Sequence, residues 1–417
     1  MKKEVIIEDI SYEGAGVAKL DGKVVFVPKT LCGEKVEISP IKNHSKFVLA
    51  KLEKVLEASE FRIIPKCPYF DICGGCDFQH CDYAHELKLK QQILKRELQK
   101  AIDFEKIDVV GQNRFGYRNK IKLEVVSNKI GYFKAKSHEF FEVDECVIAT
   151  KEINETLRIL KNYLKENKYK NLKNIYIKQV GAELGICFLF DKNAENQHQK
   201  LKKDEKLSNF SIFFACGDVL ESNKTKVFCV QGNEKFNLIK DDIKMSIDIA
   251  GFNQINEEVA EKLYDFVLNY AKDKRVINAY SGQGFLSAML AKTAKFVYGI
   301  EYQLAAHLSA EKSTKDLNNI KNICGRVEDC LPQVLLSDFI DVIILDPARE
   351  GCQKVVLEQI NSQKIKNIVY ISCNFSTLAR DLKILCENYT VDCVKMFDMF
   401  PCTANMETVV VLSRKFD

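Results

Sequence analysis

From residue 275 onward, short apolar runs of strand length alternate with amphipathic stretches of helical spacing, and each run ends in a residue with chemistry to offer. Arg275–Tyr280 runs into Ser281-Gly-Gln-Gly284, and Phe296–Ile300 stops at Glu301. Asp341–Leu345 is closed by Asp346-Pro-Ala-Arg349-Glu-Gly351, and Ile368–Ile371 leads to Cys373. Runs this short and this apolar read as fully buried strands. Strands alternating with helices build a parallel sheet covered on both faces, and ligands collect at the carboxyl ends of its strands. The pattern therefore predicts an α/β domain with Glu301, Asp346 and Cys373 along one sheet edge.

The turn at Ser281–Gly284, with Glu301 about twenty positions further on, matches the pattern by which nucleoside cofactors are held. Glycines admit the ligand, and the carboxylate takes the ribose hydroxyls. A dinucleotide fingerprint needs a third glycine where Ser287 stands. A cofactor with a ribose and no pyrophosphate fits better, which points to S-adenosylmethionine. Cys373 faces the start of a helix expected over Ser376–Glu387, with Leu378, Leu382 and Leu385 on one side. Helix N–H groups and the helix dipole favour a thiolate there. The plainer reading is a buried thiol, since the chain has sixteen cysteines and small thiols are common in cores. Asp398-Met-Phe-Pro401 leads to Glu407 at the start of a closing strand, Thr408–Leu412.

Upstream, residues 1–56 hold short alternating runs separated by Gly14, Gly16, Gly22 and Gly33, as in a small OB-like barrel. Cys67-Pro-Tyr-Phe-Asp-Ile-Cys73-Gly-Gly-Cys76, with Cys81 just after, has the spacing of a loop wrapped round a metal centre. Gly74 and Gly75 let the backbone approach without a Cβ clash. Thiolates hold either zinc or an iron–sulfur cluster, and spacing does not choose between them. Cys81 or a distant residue such as Cys146 completes the set. Tyr83–Ile102 reads as an amphipathic helix that packs on the C-terminal domain. The strand Gly116–Val125 carries Arg118, Lys120 and Lys122 on one face. Residues 150–245 read as scaffold, with a helix at Ile153–Leu164 and strands at Asn174–Lys178, Gly185–Phe190 and Lys226–Val230.

Composition sets outer limits. Lys and Arg number 62 against 58 Asp and Glu, a net +4, so overall charge does not mark a nucleic-acid binder. No run approaches eighteen apolar residues, and sixteen cysteines without a secretory leader argue against a disulfide framework. A soluble, cytoplasmic protein without membrane contacts is expected.

Taken together, GAGVAKLDGKVVFVP (14–28), CPYFDICGGCDFQH (67–80), GYRNKIKL (116–123), FNQIN (252–256), DPAREG (346–351), SCN (372–374) and DMFP (398–401) followed by Glu407 make the chain similar to a known family. It resembles the RNA uridine-5-methyltransferases that carry an N-terminal TRAM barrel, in particular their ribosomal-RNA branch with an iron–sulfur cluster. The resemblance runs from about Val5 to Leu412. It implies an OB-like TRAM β-barrel over 1–56, a central α+β domain over 57–245 carrying an iron–sulfur loop, and a Rossmann-like S-adenosylmethionine methyltransferase domain over 246–417. It assigns a 4Fe-4S cluster to Cys67, Cys73, Cys76 and Cys146, leaving Cys81 free. Gln254, Tyr280, Glu301 and Asp346 fall to the S-adenosylmethionine site, Cys373 to the nucleophile and Glu407 to the base. The implied reaction is methylation of carbon 5 of a uridine in RNA through a covalent Cys373–uracil adduct, by a monomer. Ribosomal RNA is the expected substrate and transfer RNA the alternative. The chain departs from the family pattern at Asn278, Ser281, Ala348, Phe375 and Asn405. Asn278 and Ser281 are what would support an RNA-binding relative with weakened catalysis.

Overall fold

The structure is a computed structural model, and it describes residues 2–415 except 193, 195–200, 202–204, 223 and 241. Six strands between Lys3 and Glu57 form one sheet that curls until the Lys3–Ile6 strand meets the Ala15–Leu20 strand. Their alternating pattern buries Val5, Ala18, Val25, Val27, Val36 and Ile38 inside. The central region is a seven-stranded sheet, antiparallel throughout except that Glu183–Phe190 and Ser211–Cys216 run parallel. The Lys151–Glu166 helix covers one face of it through Ile153, Leu157, Leu160 and Leu164. Ser211–Cys216 has no alternation because both its faces are buried.

The C-terminal sheet has eight strands. In spatial order they are Ile320–Cys324, Phe296–Glu301, Arg275–Ala279, Val342–Leu345, Asn367–Ser372, Glu407–Arg414, Tyr389–Phe397 and Ile107–Val110. The first five are parallel, and Glu407–Arg414 runs antiparallel between its two neighbours. The eighth comes from far upstream: Ile107–Val110 lies parallel to Tyr389–Phe397 and closes that edge of the sheet. The Tyr83–Leu98 helix stands between two cores. Leu89 and Ile93 pack with Phe78 and Cys81 against the barrel, while Leu94 and Leu98 pack with Leu378 and Leu382 of the C-terminal unit. Among the described residues no helix is long and apolar enough to cross a membrane.

The basic face expected around the Lys120–Val126 strand is neutralised in part. Lys120 is bonded to Glu221 at 2.6 Å and Lys122 to Glu124 at 3.0 Å. Glu124 stands two residues along the same strand, on the same face as Lys122, while Glu221 comes from the distant connection after Ser211–Cys216, which a one-strand reading cannot see.

Candidate active site

Parallel strands leave a sheet with their carboxyl ends on the same side, so the chemistry-bearing residues that follow them converge. Asp346 follows Val342–Leu345, Tyr280 follows Arg275–Ala279, Glu301 ends its own strand and Cys373 follows Asn367–Ser372. Glu407 joins them by register. Its strand runs antiparallel to Asn367–Ser372 with Thr408 opposite Ser372, so one residue beyond the pair on each chain stand Cys373 and Glu407. A separation of 34 positions in sequence thus becomes a cross-strand neighbour. Asn374 caps the Phe375–Leu385 helix, its Oδ1 accepting the Ser376 N–H at 3.1 Å. Its amide donates to the Arg349 carbonyl at 2.9 Å, and Thr377 Oγ1 donates to the same carbonyl at 3.1 Å. The turn after Asp346 is thereby fastened to the helix after Cys373.

The electrostatics correct one expectation. Burial, with the Glu407 and Asp346 carboxyls adding to it, pushes the Cys373 thiol up to about 11. Arg349 and a backbone N–H at Cys373 act the other way with smaller effect. Helix geometry alone predicts a thiolate, but desolvation and the neighbouring acids outweigh it. Burial and then Asp346 raise Glu407 to about 8. Asp346, half-buried, is raised by burial to about 7. Two carboxyls and a thiol held close in a poorly solvated crevice are each shifted toward neutrality, as in sites that move protons. Tyr264 is a further member: its phenol lies near Asp346, Glu407 and Gln254. It lies on the amphipathic Glu257–Leu268 helix, where sequence offers no sign to separate it from a core tyrosine.

The residues at the cofactor edge fit a ribose-bearing group. Glu301 is buried and its two oxygens accept N–H groups from Gly282 at 2.9 Å and Gln303 at 2.7 Å. The carboxylate is fixed while each oxygen keeps a lone pair for a hydroxyl. Gly282, at φ +56, gives the turn its left-handed step. Tyr280 adopts φ +63, a conformation costly for an aromatic residue and found where surroundings enforce it; its phenol lies near Cys352. The Gln254 carbonyl accepts from Asn119 Nδ2 at 3.0 Å. Asn278 is buried, with its amide donating to Ser287 Oγ at 2.8 Å.

A second site lies in the central region. Cys67, Cys73, Cys76 and Cys146 line one cavity of about 430 Å3, floored by Gly74 and Gly75 and walled by Tyr132, Arg118 and Ile148. Cys81 is elsewhere, buried in the core between the barrel and the Tyr83–Leu98 helix. N–H donors already point at two sulfurs, Gly75 N to Cys73 Sγ at 3.4 Å and Gln79 Nε2 to Cys76 Sγ at 3.2 Å. Among the described residues no three His, Cys, Asp or Glu side chains are gathered tightly enough to hold a single metal ion.

Comparison with known proteins agrees with this architecture. Residues 2–52 match the TRAM domain family, and residues 300–415 match the tRNA (uracil-5-)-methyltransferase family. An uncharacterized RNA methyltransferase of Clostridium acetobutylicum is 33% identical over 99% of this chain and 96% of its own length. One of Halalkalibacterium halodurans is 32% identical over 99% of this chain and 97% of its own length. The crystal structure of Pyrococcus abyssi tRNA (uracil-54, C5)-methyltransferase in complex with S-adenosyl-L-homocysteine superimposes with a TM-score of 0.78 and 25% identity, covering 99% of this chain and 100% of that one. With a TRAM barrel in front, the methyltransferase sheet behind and relatives matched over nearly their whole length, this chain belongs to the RNA uridine-5-methyltransferase family.

Proposed function

We propose that the protein methylates carbon 5 of a uridine in RNA, using Cys373 as nucleophile and Glu407 as base. The observation that carries this reading is the cross-strand juxtaposition of Cys373 and Glu407 beside Asp346. Carbon 5 of uracil is too weak a nucleophile to take a methyl group unaided. Addition of Cys373 Sγ to carbon 6 turns the ring into an enolate and makes carbon 5 nucleophilic. S-adenosylmethionine, when bound, supplies the methyl group. Glu407 then removes the remaining proton from carbon 5, its electron pair becomes the 5,6 double bond, and Sγ leaves carbon 6. Arg349 is the cation placed to favour the thiolate form of Cys373. The target base must leave its stack to enter such a crevice, at a cost on the order of a few kcal/mol.

Glu301, Tyr280, Gln254 and Asp346 hold S-adenosylmethionine in this reading, with Glu301 on the ribose diol. Glu301→Ala should weaken its binding by about 1.5–3 kcal/mol, the worth of hydrogen bonds to a charged acceptor, and leave RNA affinity alone. Isothermal calorimetry decides this, and an unchanged Kd would move the cofactor elsewhere. A calorimetric blank for the wild type would favour the weakened-relative reading.

A 4Fe-4S cluster in the cysteine cavity fits four thiols that line a space larger than one ion, two of them with N–H groups aimed at their sulfurs. Cys146→Ser should lose most of the iron from anaerobically purified protein, while Cys81→Ser keeps about four irons per chain, as a cubane held by four cysteines requires. Stoichiometric zinc without iron, or iron lost only on changing Cys81, would overturn the assignment.

By resemblance the four-cysteine site favours ribosomal RNA; the Pyrococcus neighbour, a tRNA enzyme by its name, keeps transfer RNA as the alternative. Mass-spectrometric mapping of 5-methyluridine in RNA from cells with and without the gene tests the whole reading. A site lost from ribosomal RNA supports it, a site lost from transfer RNA selects the alternative, and no lost site refutes the activity.

A further inference from the structure

Residues 398–406 form no helix or strand, yet they deliver Glu407 to the crevice. Loops need partners for their backbone groups, and here most come from outside the C-terminal sheet. The N–H groups of Asp77 and Phe78 donate to the Cys402 carbonyl at 2.8 and 2.9 Å. Asp77 Oδ2 accepts the Ala404 N–H at 2.9 Å. Glu86 Oε1 accepts the Cys402 N–H at 2.7 Å, and Tyr117 Oη donates to the Pro401 carbonyl at 3.0 Å. Cys402 itself sits at φ +70, a left-handed conformation that a non-glycine residue keeps only when its surroundings over-determine it. The barrel closes the junction from the other side. At Gly14, with φ +78, a Cβ would lie 3.1 Å from Asp77 Cβ and 3.2 Å from Ala404 Cβ, so only glycine fits comfortably there.

We infer that Asp77 is a positioning residue for the reaction: with the backbone beside it, Asp77 clamps the 402–404 turn and so sets where the Glu407 carboxyl stands. The inference rests on the function proposed above. Its specificity comes from topology. Asp77 hydrogen-bonds the 402–404 turn and none of Cys373, Glu301 and Asp346, whereas Glu407 lies three residues beyond Ala404. Loosening the clamp therefore should spare Sγ addition to carbon 6 and methyl transfer to carbon 5, and slow the last step. In that step Glu407 takes the carbon 5 proton, the C–H pair closes the 5,6 double bond, and the Sγ–C6 bond breaks to return the thiolate.

Asp77→Ala removes the acceptor for the Ala404 N–H. Its kcat should fall about 10- to 100-fold, the scale of a misplacement near 1 Å, with the KM for S-adenosylmethionine and for RNA unchanged. A covalent protein–RNA species carrying methyl label should accumulate on denaturing gels. Hydrogen exchange at the Ala404 amide should quicken. Asp77→Asn keeps an oxygen for the same N–H and should restore turnover. If Asp77→Ala does not fold, Asp77→Ser, which shortens the side chain and removes the carboxylate, is scored on the same readouts. Glu407→Gln run in parallel separates two failures. No trapped species with Glu407→Gln would refute the covalent mechanism. Trapping with Glu407→Gln but none with the Asp77 variant, whether that variant turns over normally or loses activity, would refute the clamp.

Discussion

Glu407→Gln should stop the reaction after methyl transfer, and Cys373→Ala should stop it before any bond to RNA forms. The amide of the Glu407→Gln variant keeps the cross-strand position beside Cys373, so addition and methylation remain available. The carbon 5 proton then has no base. Losing a positioned base costs about 10²–10⁴-fold in rate, and the enzyme should be left covalently joined to methylated RNA in a form that survives denaturing electrophoresis. Cys373→Ala should show neither product nor adduct. Normal turnover by Glu407→Gln would reduce Glu407 to a structural residue, and methylation by Cys373→Ala would reduce the thiol to core filling. The pH profile carries the same assignment. Burial and Asp346 raise Glu407 to about 8, and only its carboxylate form accepts the proton, so the elimination step should quicken as pH rises through about 8.

Lys90→Met should destabilise the protein more than any surface change. Lys90, Glu86 and Asp398 are completely buried, with Lys90 Nζ at 3.0 Å from Glu86 and 2.6 Å from Asp398. Burial opposes the ammonium charge, but the two carboxylates hold it above the ordinary lysine value. Arg114 also contacts Glu86, and Tyr83 donates to Asp398 at 2.8 Å. With the ammonium gone, Asp398 keeps a buried charge without a counter-charge, at a cost of about 3–5 kcal/mol. Urea midpoints at constant slope measure this. Lys90→Met combined with Asp398→Asn should recover part of the loss, because the stranded charge is removed while the Tyr83 hydroxyl keeps its acceptor. An unchanged midpoint in the single variant would show the network to be dispensable.

What can be read from sequence is what neighbouring residues decide. Strand runs such as Ile368–Ile371 announce themselves, and the residue after each run is fixed with it, so Glu301, Asp346 and Cys373 fall on one edge by counting. The Ile107–Val110 strand is only four residues long, carries an aspartate and pairs with a strand near the other end of the chain; no local pattern marks it. The Val327–Ser337 helix hides behind Pro332, which stands inside it. The Cys373 thiol is pushed up and not down because a helix start is local, whereas burial, and then the Glu407 and Asp346 carboxyls, come with the assembled sheet. Tyr264 enters the crevice unannounced because the packing of its helix, which no local pattern records, carries it there.

The strand at Ile107–Val110 also bears on how the chain is made. Its neighbour Tyr389–Phe397 leaves the ribosome roughly 280 residues later, a delay of tens of seconds at ordinary synthesis rates. During that interval the Tyr83–Leu98 helix has one ready surface, the barrel face that takes Leu89 and Ile93. Leu94 and Leu98, which belong with Leu378 and Leu382, must wait uncovered. Until the final strands arrive, the nascent chain is therefore expected to hold out a helix with one apolar side still wet.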